Sequence, residues 1–305
     1  MQLIDMHCDT IWAWMKGQEE CCVDFEKLKM ADSIAQFFAC FIYMDDFQGD
    51  DRFTKAYQHA LHMIHCGKER LNVVCNYEEM IAVKNQSQIP AFLTIEEGGI
   101  LDGSLNRLEE LYKEGIRLMT LTWNYENCIG HPNSRDANTM NMGLKSFGFE
   151  VVERMNELGM IIDVSHLSDG GFWDVLKHSK QPVVASHSNA RELCNHPRNL
   201  SDKMIRALAQ AGGIIGVNFY PYFLRPDGNV AADDIANHIW HIYQIGGEDV
   251  IAFGTDFDGF DEGQSEIAHI GQIDKVYRAV QKRGFSERQI EKIWNKNILR
   301  FIHLL

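Results

Sequence analysis

The sequence predicts an α/β protein, a single (β/α)8 barrel of the TIM type spanning residues 1–305, and three observations lead there. Apolar runs of strand length alternate with stretches of helical spacing along most of the chain, and that alternation demands a parallel sheet. The main strands number eight, the count that closes such a sheet into a barrel. No glycine-rich phosphate loop follows the first strand, which weakens an open dinucleotide-binding sheet. A length of 305 residues suits one barrel of about 250 residues with insertions.

The first strand is expected over 3–6, ending on His7-Cys8-Asp9. Side chains alternate along extended backbone, so His7 and Asp9 share a side that Cys8 does not. A tract rich in charge and cysteine leads to a thoroughly apolar second strand over 35–44. Helical spacing follows over 51–68, then a minor strand over 72–75 and a short helix over 77–83. The third strand, 91–95, ends on Glu96-Glu97-Gly98-Gly99, and Leu105, Leu108, Leu111 and Tyr112 mark the next helix. The fourth, 116–121, ends on Thr122-Trp123-Asn124 ahead of a long loop over 127–141 rich in Gly, Pro, Asn and Ser.

Helix 147–158, strand 160–164, helix 172–177 and strand 182–185 come next, the two strands ending on Ser165-His166 and Ser186-His187-Ser188. Ser201 is a candidate N-cap for a helix reaching residue 211, and the seventh strand covers 213–219. After a helix over 233–245, the eighth strand, 250–253, ends on Gly254-Thr255-Asp256-Phe257-Asp258-Gly259. Helices over 273–283 and 286–304 finish the chain.

Composition narrows the partners. A net charge of −14 with no Lys/Arg cluster repels nucleic acid and anionic membranes, so neither is expected as a partner. Eight scattered cysteines, none at CxxC spacing, indicate neither a zinc ribbon nor a disulfide framework, and suggest a reducing compartment. With no apolar stretch of signal-peptide or membrane-spanning length, a soluble cytoplasmic protein is expected. A homodimer is allowed for only because twofold assemblies are common.

The predicted strand ends collect His7, Asp9, Glu96 or Glu97, His166, His187 and Asp256. In a barrel these ends share one face. Three carboxylates and three imidazoles there need a cation, and a metal pair is the economical answer. Nitrogen and oxygen ligands without thiolates suit zinc, with manganese or iron as alternatives, and a strand-end glutamate can bridge two ions. Each residue also has an ordinary reading: a packed strand-end histidine, a helix-start glutamate, turn aspartates before Gly259. Their joint occurrence at strand ends favours the metal site.

The series His7-x-Asp9, Glu96 before Gly98-Gly99, Asp163-Val164-Ser165-His166, Ser186-His187-Ser188, Arg198-Asn199 and Gly254-Thr255-Asp256-Phe257-Asp258-Gly259 resembles the membrane (renal) dipeptidase family of zinc-dependent dipeptidases. The likeness covers essentially the whole chain and is to the soluble bacterial-type branch. It implies two zinc ions per chain, one held by His7, Asp9 and Asp256, the other by His166 and His187, with Glu96 between them. Glu97 stays the alternative bridge. Arg198 would pair with the terminal carboxylate of a small peptide substrate, a task suited to a planar bidentate donor; otherwise it is a surface charge before a helix. The family's animal members place a histidine after the fourth strand for the developing oxyanion, where this chain has Thr122-Trp123-Asn124. His131 in the long loop is either its replacement or a solvated residue, and Tyr220 and Tyr222 either wall the substrate pocket or pack.

The implied reaction is hydrolysis of a dipeptide, including ones with a C-terminal D-residue, by a hydroxide bridging the metals, with Asp256 moving the proton. The alternatives are an N-acyl-amino-acid deacylase or lactonase on the same barrel, and a metal-containing protein that only binds peptides.

Overall fold

The computed structural model describes residues 1–261 and 263–305. Eight strands form the barrel: β1 (Leu3–Asp5), β2 (Ser33–Phe41), β3 (Pro90–Glu96), β4 (Ile116–Thr120), β5 (Ile161–Asp163), β6 (Val184–Ala185), β7 (Ile214–Val217) and β8 (Ile251–Phe253). They run β2-β1-β8-β7-β6-β5-β4-β3, every pair parallel, and pairing of β2 with β3 closes the ring. The two-residue strand Asn72–Val73 adds to the start of β3, and Asn229–Val230 pairs with Gln264–Ser265 apart from the barrel.

Alternation along β3 shows how the barrel is filled. Phe92 packs with Ile4, Phe37, Leu118, Val184, Ile214 and Ala252, whereas its neighbours Leu93 and Ile95 belong to the larger core shared with the helices. Ile298, Phe301 and Ile302 of the closing helix Asn297–Ile302 join the first group. Nearby, Asn295 Nδ2 donates to the carbonyl of Gln2 ahead of β1, so this helix stoppers the end where the strands begin. The opposite end is left for polar side chains. Continuing the period of two, Thr94 and Glu96 follow Phe92 on the same face, and Glu96 stands opposite Phe41 on β2 and Thr120 on β4.

Strand and helix existence follows the apolar patterning, while the bounds are tighter than the apolar runs suggest. β6 is two residues, Val184–Ala185, because Pro182 lacks an N–H to donate to the ladder. Ser201 does cap its helix, Asp202–Gln210, by accepting from Met204 N. The tract rich in charge and cysteine after His7-Cys8-Asp9 holds helices Thr10–Met15 and Phe25–Met30, and the long loop contains the short helix Ala137–Met140. The final helix is three pieces, Glu287–Glu291, a π-wound Lys292–Lys296 and Asn297–Ile302.

Candidate metal centre and substrate cleft

Every strand-end residue of the sequence reading arrives at the C-terminal mouth of the barrel, and backbone detail explains their aim. Cys8 turns away, its Sγ donating to Phe37 O, which leaves His7 and Asp9 together with Nε2 and Oδ2 3.4 Å apart. His166 and Asp256 adopt left-handed backbone, φ 66° and 65°, a conformation costly for side-chain-bearing residues and concentrated at functional sites. Near His187 the backbone is crowded: a Cβ on Gly216 or Gly254 would lie 1.8 or 1.7 Å from Ser186 O, so only glycine fits at those two positions.

Glu96, buried, splits its carboxylate between two groups. Oε2 lies 3.4 Å from His7 Nε2; Oε1 lies 3.0 Å from His166 Nε2 and 3.4 Å from His187 Nε2. Asp256 Oδ1 approaches His7 Nε2 at 3.6 Å, while its Oδ2 accepts from Asn218 Nδ2 at 2.8 Å. The rings of His7 and His187 stack at 3.9 Å. Glu97 turns the other way, accepting from Gly99 N, Trp123 N and Asn127 Nδ2.

Behind the clustered histidines stand further hydrogen-bond partners. His166 Nδ1 lies 3.0 Å from Asn124 Oδ1, an acceptor, so this nitrogen carries the proton and Nε2 presents a lone pair. Ser186 Oγ donates to Asp163 Oδ2 at 2.5 Å and lies 2.7 Å from His187 Nδ1, which leaves His187 Nε2 likewise as a lone pair. Asp163 also accepts from Ser165 N, Ser186 N and Thr120 Oγ1.

Such a set fits a divalent cation. Both nitrogens of His7 and Asp9 Oδ1 are buried without hydrogen-bond partners, and the two lone-pair Nε2 atoms of His166 and His187 sit 3.0 Å apart. Ligand atoms of His7, Asp9 and Asp256, and again of His7, Glu96 and His187, lie within 4.8 Å of one another. The residues' own electrostatics point the same way. Burial works against charge on His7, but Glu96 and Asp9 hold it well above the ordinary imidazole range. Burial pushes Asp9 up to about 8 and Asp256 up to about 6, and drives His166 down to about 3, with the Arg198 charge adding to the last. Glu96 is buried too, yet the charge of His7 beside it keeps it well below the usual carboxylate range.

The centre opens into a cleft of about 690 Å³. Trp12 from the helix Thr10–Met15 after β1, Phe41 at the end of β2 and Trp123 from the loop after β4 form one wall, with Phe41 and Trp123 ring centroids 5.0 Å apart. Across the barrel mouth, after β6 and β7, lie Arg198, Tyr220 and Phe223. Arg198 is buried, donates from Nη2 to His187 O and from Nη1 to Ser188 Oγ, and keeps Nε without a partner.

The structure thus gathers His7, Asp9, Glu96, His166, His187, Asp256, Arg198 and Tyr220 around one cleft. His131 stands apart from the lining, its Nδ1 on Gly143 O and its Nε2 3.5 Å from Glu126, and Tyr222 is also absent from the lining, with its ring against Gly228.

A model of the membrane dipeptidase family, peptidase family M19, matches residues 1–304. The chain belongs to that family. It is a zinc-dependent metallopeptidase, a dipeptidase by its family. It is 31% identical over 296 residues to an uncharacterized dipeptidase of Schizosaccharomyces pombe, covering 91% of this chain and 70% of the yeast protein. Among solved structures, the probable dipeptidase PvdM from Pseudomonas aeruginosa superposes with a TM-score of 0.90 at 19% identity, covering 99% of this chain and 95% of that one. A metallopeptidase from Rhodobacter sphaeroides, liganded with a phosphinate mimic of L-Ala-D-Ala, gives 0.86 at 22% identity, with 99% and 98% covered. Among the described residues no helix is long and apolar enough to cross a membrane.

Sequence reasoning overlooked Asn124 and Asn218, which hold His166 and Asp256. Asn218 follows β7 directly, so the strand-end rule that found the histidines would have found it too; Asn124 lies four residues beyond β4. Phe41 was missed for a different reason: nothing in an apolar run marks the residue that faces a cleft.

Proposed function

We propose that this family member is a binuclear zinc dipeptidase acting on short peptides, including dipeptides with a C-terminal D-residue. The observation that carries the reading is the divided carboxylate of Glu96, one oxygen toward His7 and the other toward His166 and His187. His7, Asp9 and Asp256 would hold one ion and His166 with His187 the other, Glu96 serving both. Zinc in such a site supplies a nucleophile at neutral pH and polarises a carbonyl.

The chain's own residues divide the remaining work. Asp256, anchored through Oδ2 on Asn218 with Oδ1 toward His7, is placed to take a proton from the nucleophile and return it to the leaving nitrogen. Arg198 faces the cleft with a spare Nε donor in a buried setting, where a charge-assisted bond to the substrate's terminal carboxylate is strong. The aromatic wall stands opposite and shields the N-terminal residue. Anchoring at one end and closure at the other favour very short substrates. The ligand of the Rhodobacter relative, a dipeptide mimic ending in D-Ala, supports both the length and the tolerance of configuration.

An N-acyl-amino-acid deacylase is the second reading, favoured by the same aromatic wall, which would accept an acyl group as readily as an aminoacyl side chain. The eight free cysteines fit a reducing cytoplasm. The test is metal analysis of the purified protein together with hydrolysis of L-Ala-L-Ala, L-Ala-D-Ala and N-acetyl-alanine before and after chelation. Two equivalents of zinc and dipeptide cleavage restored by metal are expected. Cleavage of N-acetyl-alanine alone would select the deacylase, and one equivalent of zinc in a fully active enzyme would overturn the binuclear assignment.

A further inference from the structure

Beside Arg198 the cleft carries a second guanidinium. Arg135 lines the same cleft, with His196 also in the lining, and it forms no ion pair or side-chain hydrogen bond among the described residues. Its side chain is exposed at the rim of the cleft, a positive charge in a chain of net charge −14. Asp136, next in sequence, is turned elsewhere: its Oδ2 accepts from Thr139 N and Thr139 Oγ1. Among the described residues, Asp261, from the loop after β8, is the one carboxylate of the lining besides Asp9, Glu96 and Asp256.

The turn presenting Arg135 is held from both sides. Two residues earlier, Asn133 N donates to His166 O at 2.6 Å and Asn133 Nδ2 to the same carbonyl at 3.1 Å; one residue later, Asp136 caps the helix Ala137–Met140. Anchorage on His166 puts the turn at β5, next to the β6 loop that carries His196 and Arg198. The charges of Arg135 and Arg198 together help hold His196 neutral, its value driven down to about 4 chiefly by burial. Two cations flanking a neutral ring at one end of a cleft make a site for two anionic groups on one small molecule.

We infer that Arg135 selects dipeptides whose C-terminal residue is acidic, the substrate's α-carboxylate resting on Arg198 and its side-chain carboxylate on Arg135. This rests on the dipeptidase reading and adds a substrate class to it. A C-terminal Asp or Glu carries a second carboxylate within a few bonds of the first, so two guanidinium groups lining one cleft can take one carboxylate each. An amide side chain of equal shape forfeits the charge, so the isosteric pair isolates the interaction.

The experiment compares kcat/KM for L-Ala-Asp with L-Ala-Asn, and L-Ala-Glu with L-Ala-Gln, each with the C-terminal residue in L and D form, in the zinc-loaded enzyme and in Arg135→Gln and Arg135→Lys. We expect acidic substrates to lead their amides by about fourfold at low salt, the lead to shrink with ionic strength, Arg135→Gln to bring it near unity and Arg135→Lys to keep part of it. A wild-type ratio below about two, or a ratio unchanged in Arg135→Gln, overturns the inference while leaving the dipeptidase intact. Failure of that broader reading shows separately, as no cleavage of L-Ala-L-Ala. Calorimetric binding of N-acetyl-aspartate against N-acetyl-asparagine then reads the subsite without turnover, and equal affinities overturn it.

Discussion

His166 and His187 face one another through their Nε2 atoms at 3.0 Å, each with its Nδ1 engaged elsewhere, on Asn124 and on Ser186. Two lone pairs at that distance repel unless a cation lies with them. The arrangement therefore ties stability to metal. At a hundredfold excess over its Kd a bound ion stabilises the fold by about 2.7 kcal/mol. Thermal unfolding with and without chelator should differ by roughly 5 °C or more for a chain of this size; coincident curves would contradict the metal assignment.

Glu96 and Glu97, adjacent in sequence, are separable by mutation. Glu96→Gln removes the carboxylate shared by the two halves of the cluster and should cost zinc content and about a thousandfold or more in kcat. Glu97→Ala should keep the zinc and lose stability, by about 2–4 kcal/mol, because Trp123 N, Gly99 N and Asn127 Nδ2 lose their buried acceptor. Metal analysis and urea titration of both variants decide it. A zinc deficit in Glu97→Ala with full loading of Glu96→Gln would reverse the roles.

Asp163 touches no position where substrate would lie, yet it sets the tautomer of His187 through Ser186. An asparagine there turns one acceptor into a donor facing groups that already donate. We predict that Asp163→Asn weakens zinc binding about 10- to 100-fold, read by competition with a chelator of known affinity. Unaltered affinity would show that the Ser186 hydroxyl orients His187 unaided.

A pH dependence is expected away from the metal. His238 is buried, its Nδ1 accepting from Ala190 N and its Nε2 bonded to Leu224 O, and burial drives it down to about 4. A histidine whose folded value lies below its unfolded one, about 6.5, leaves stability whole above 6.5 and subtracts from it as pH falls toward 4. The term amounts to a few kcal/mol. Denaturation of the wild type and His238→Gln at pH 5 and pH 7 should show the wild type losing more on acidification, and parallel losses would refute the assignment.

Much of the site was legible because its residues obey a local rule. A polar residue where an apolar run stops is visible in one dimension, and His7, Asp9, Glu96, His166, His187 and Asp256 all fall there. The rule carries no depth. His131 met the compositional standard for a cleft residue, lying in a long polar loop, but its ring bonds Gly143 O and sits apart from the cleft. Trp123, noted in the sequence only within Thr122-Trp123-Asn124, where the animal members have a histidine, proves to be part of the wall, packed at an angle against Phe41, Tyr43 and Tyr125.

What the sequence determined by itself was the periodic part: strands and helices in alternation, the eightfold count, and the set of imidazole and carboxylate side chains at strand ends, since each follows from local hydrophobic patterning. Only tertiary structure decided which of two adjacent glutamates faces the cluster, which side of the cleft is aromatic and which cationic, and that Arg135 and Arg198 share it. Those are relations between loops far apart in the chain. They depend on closure of the barrel and on left-handed turns at His166 and Asp256, which no local pattern encodes.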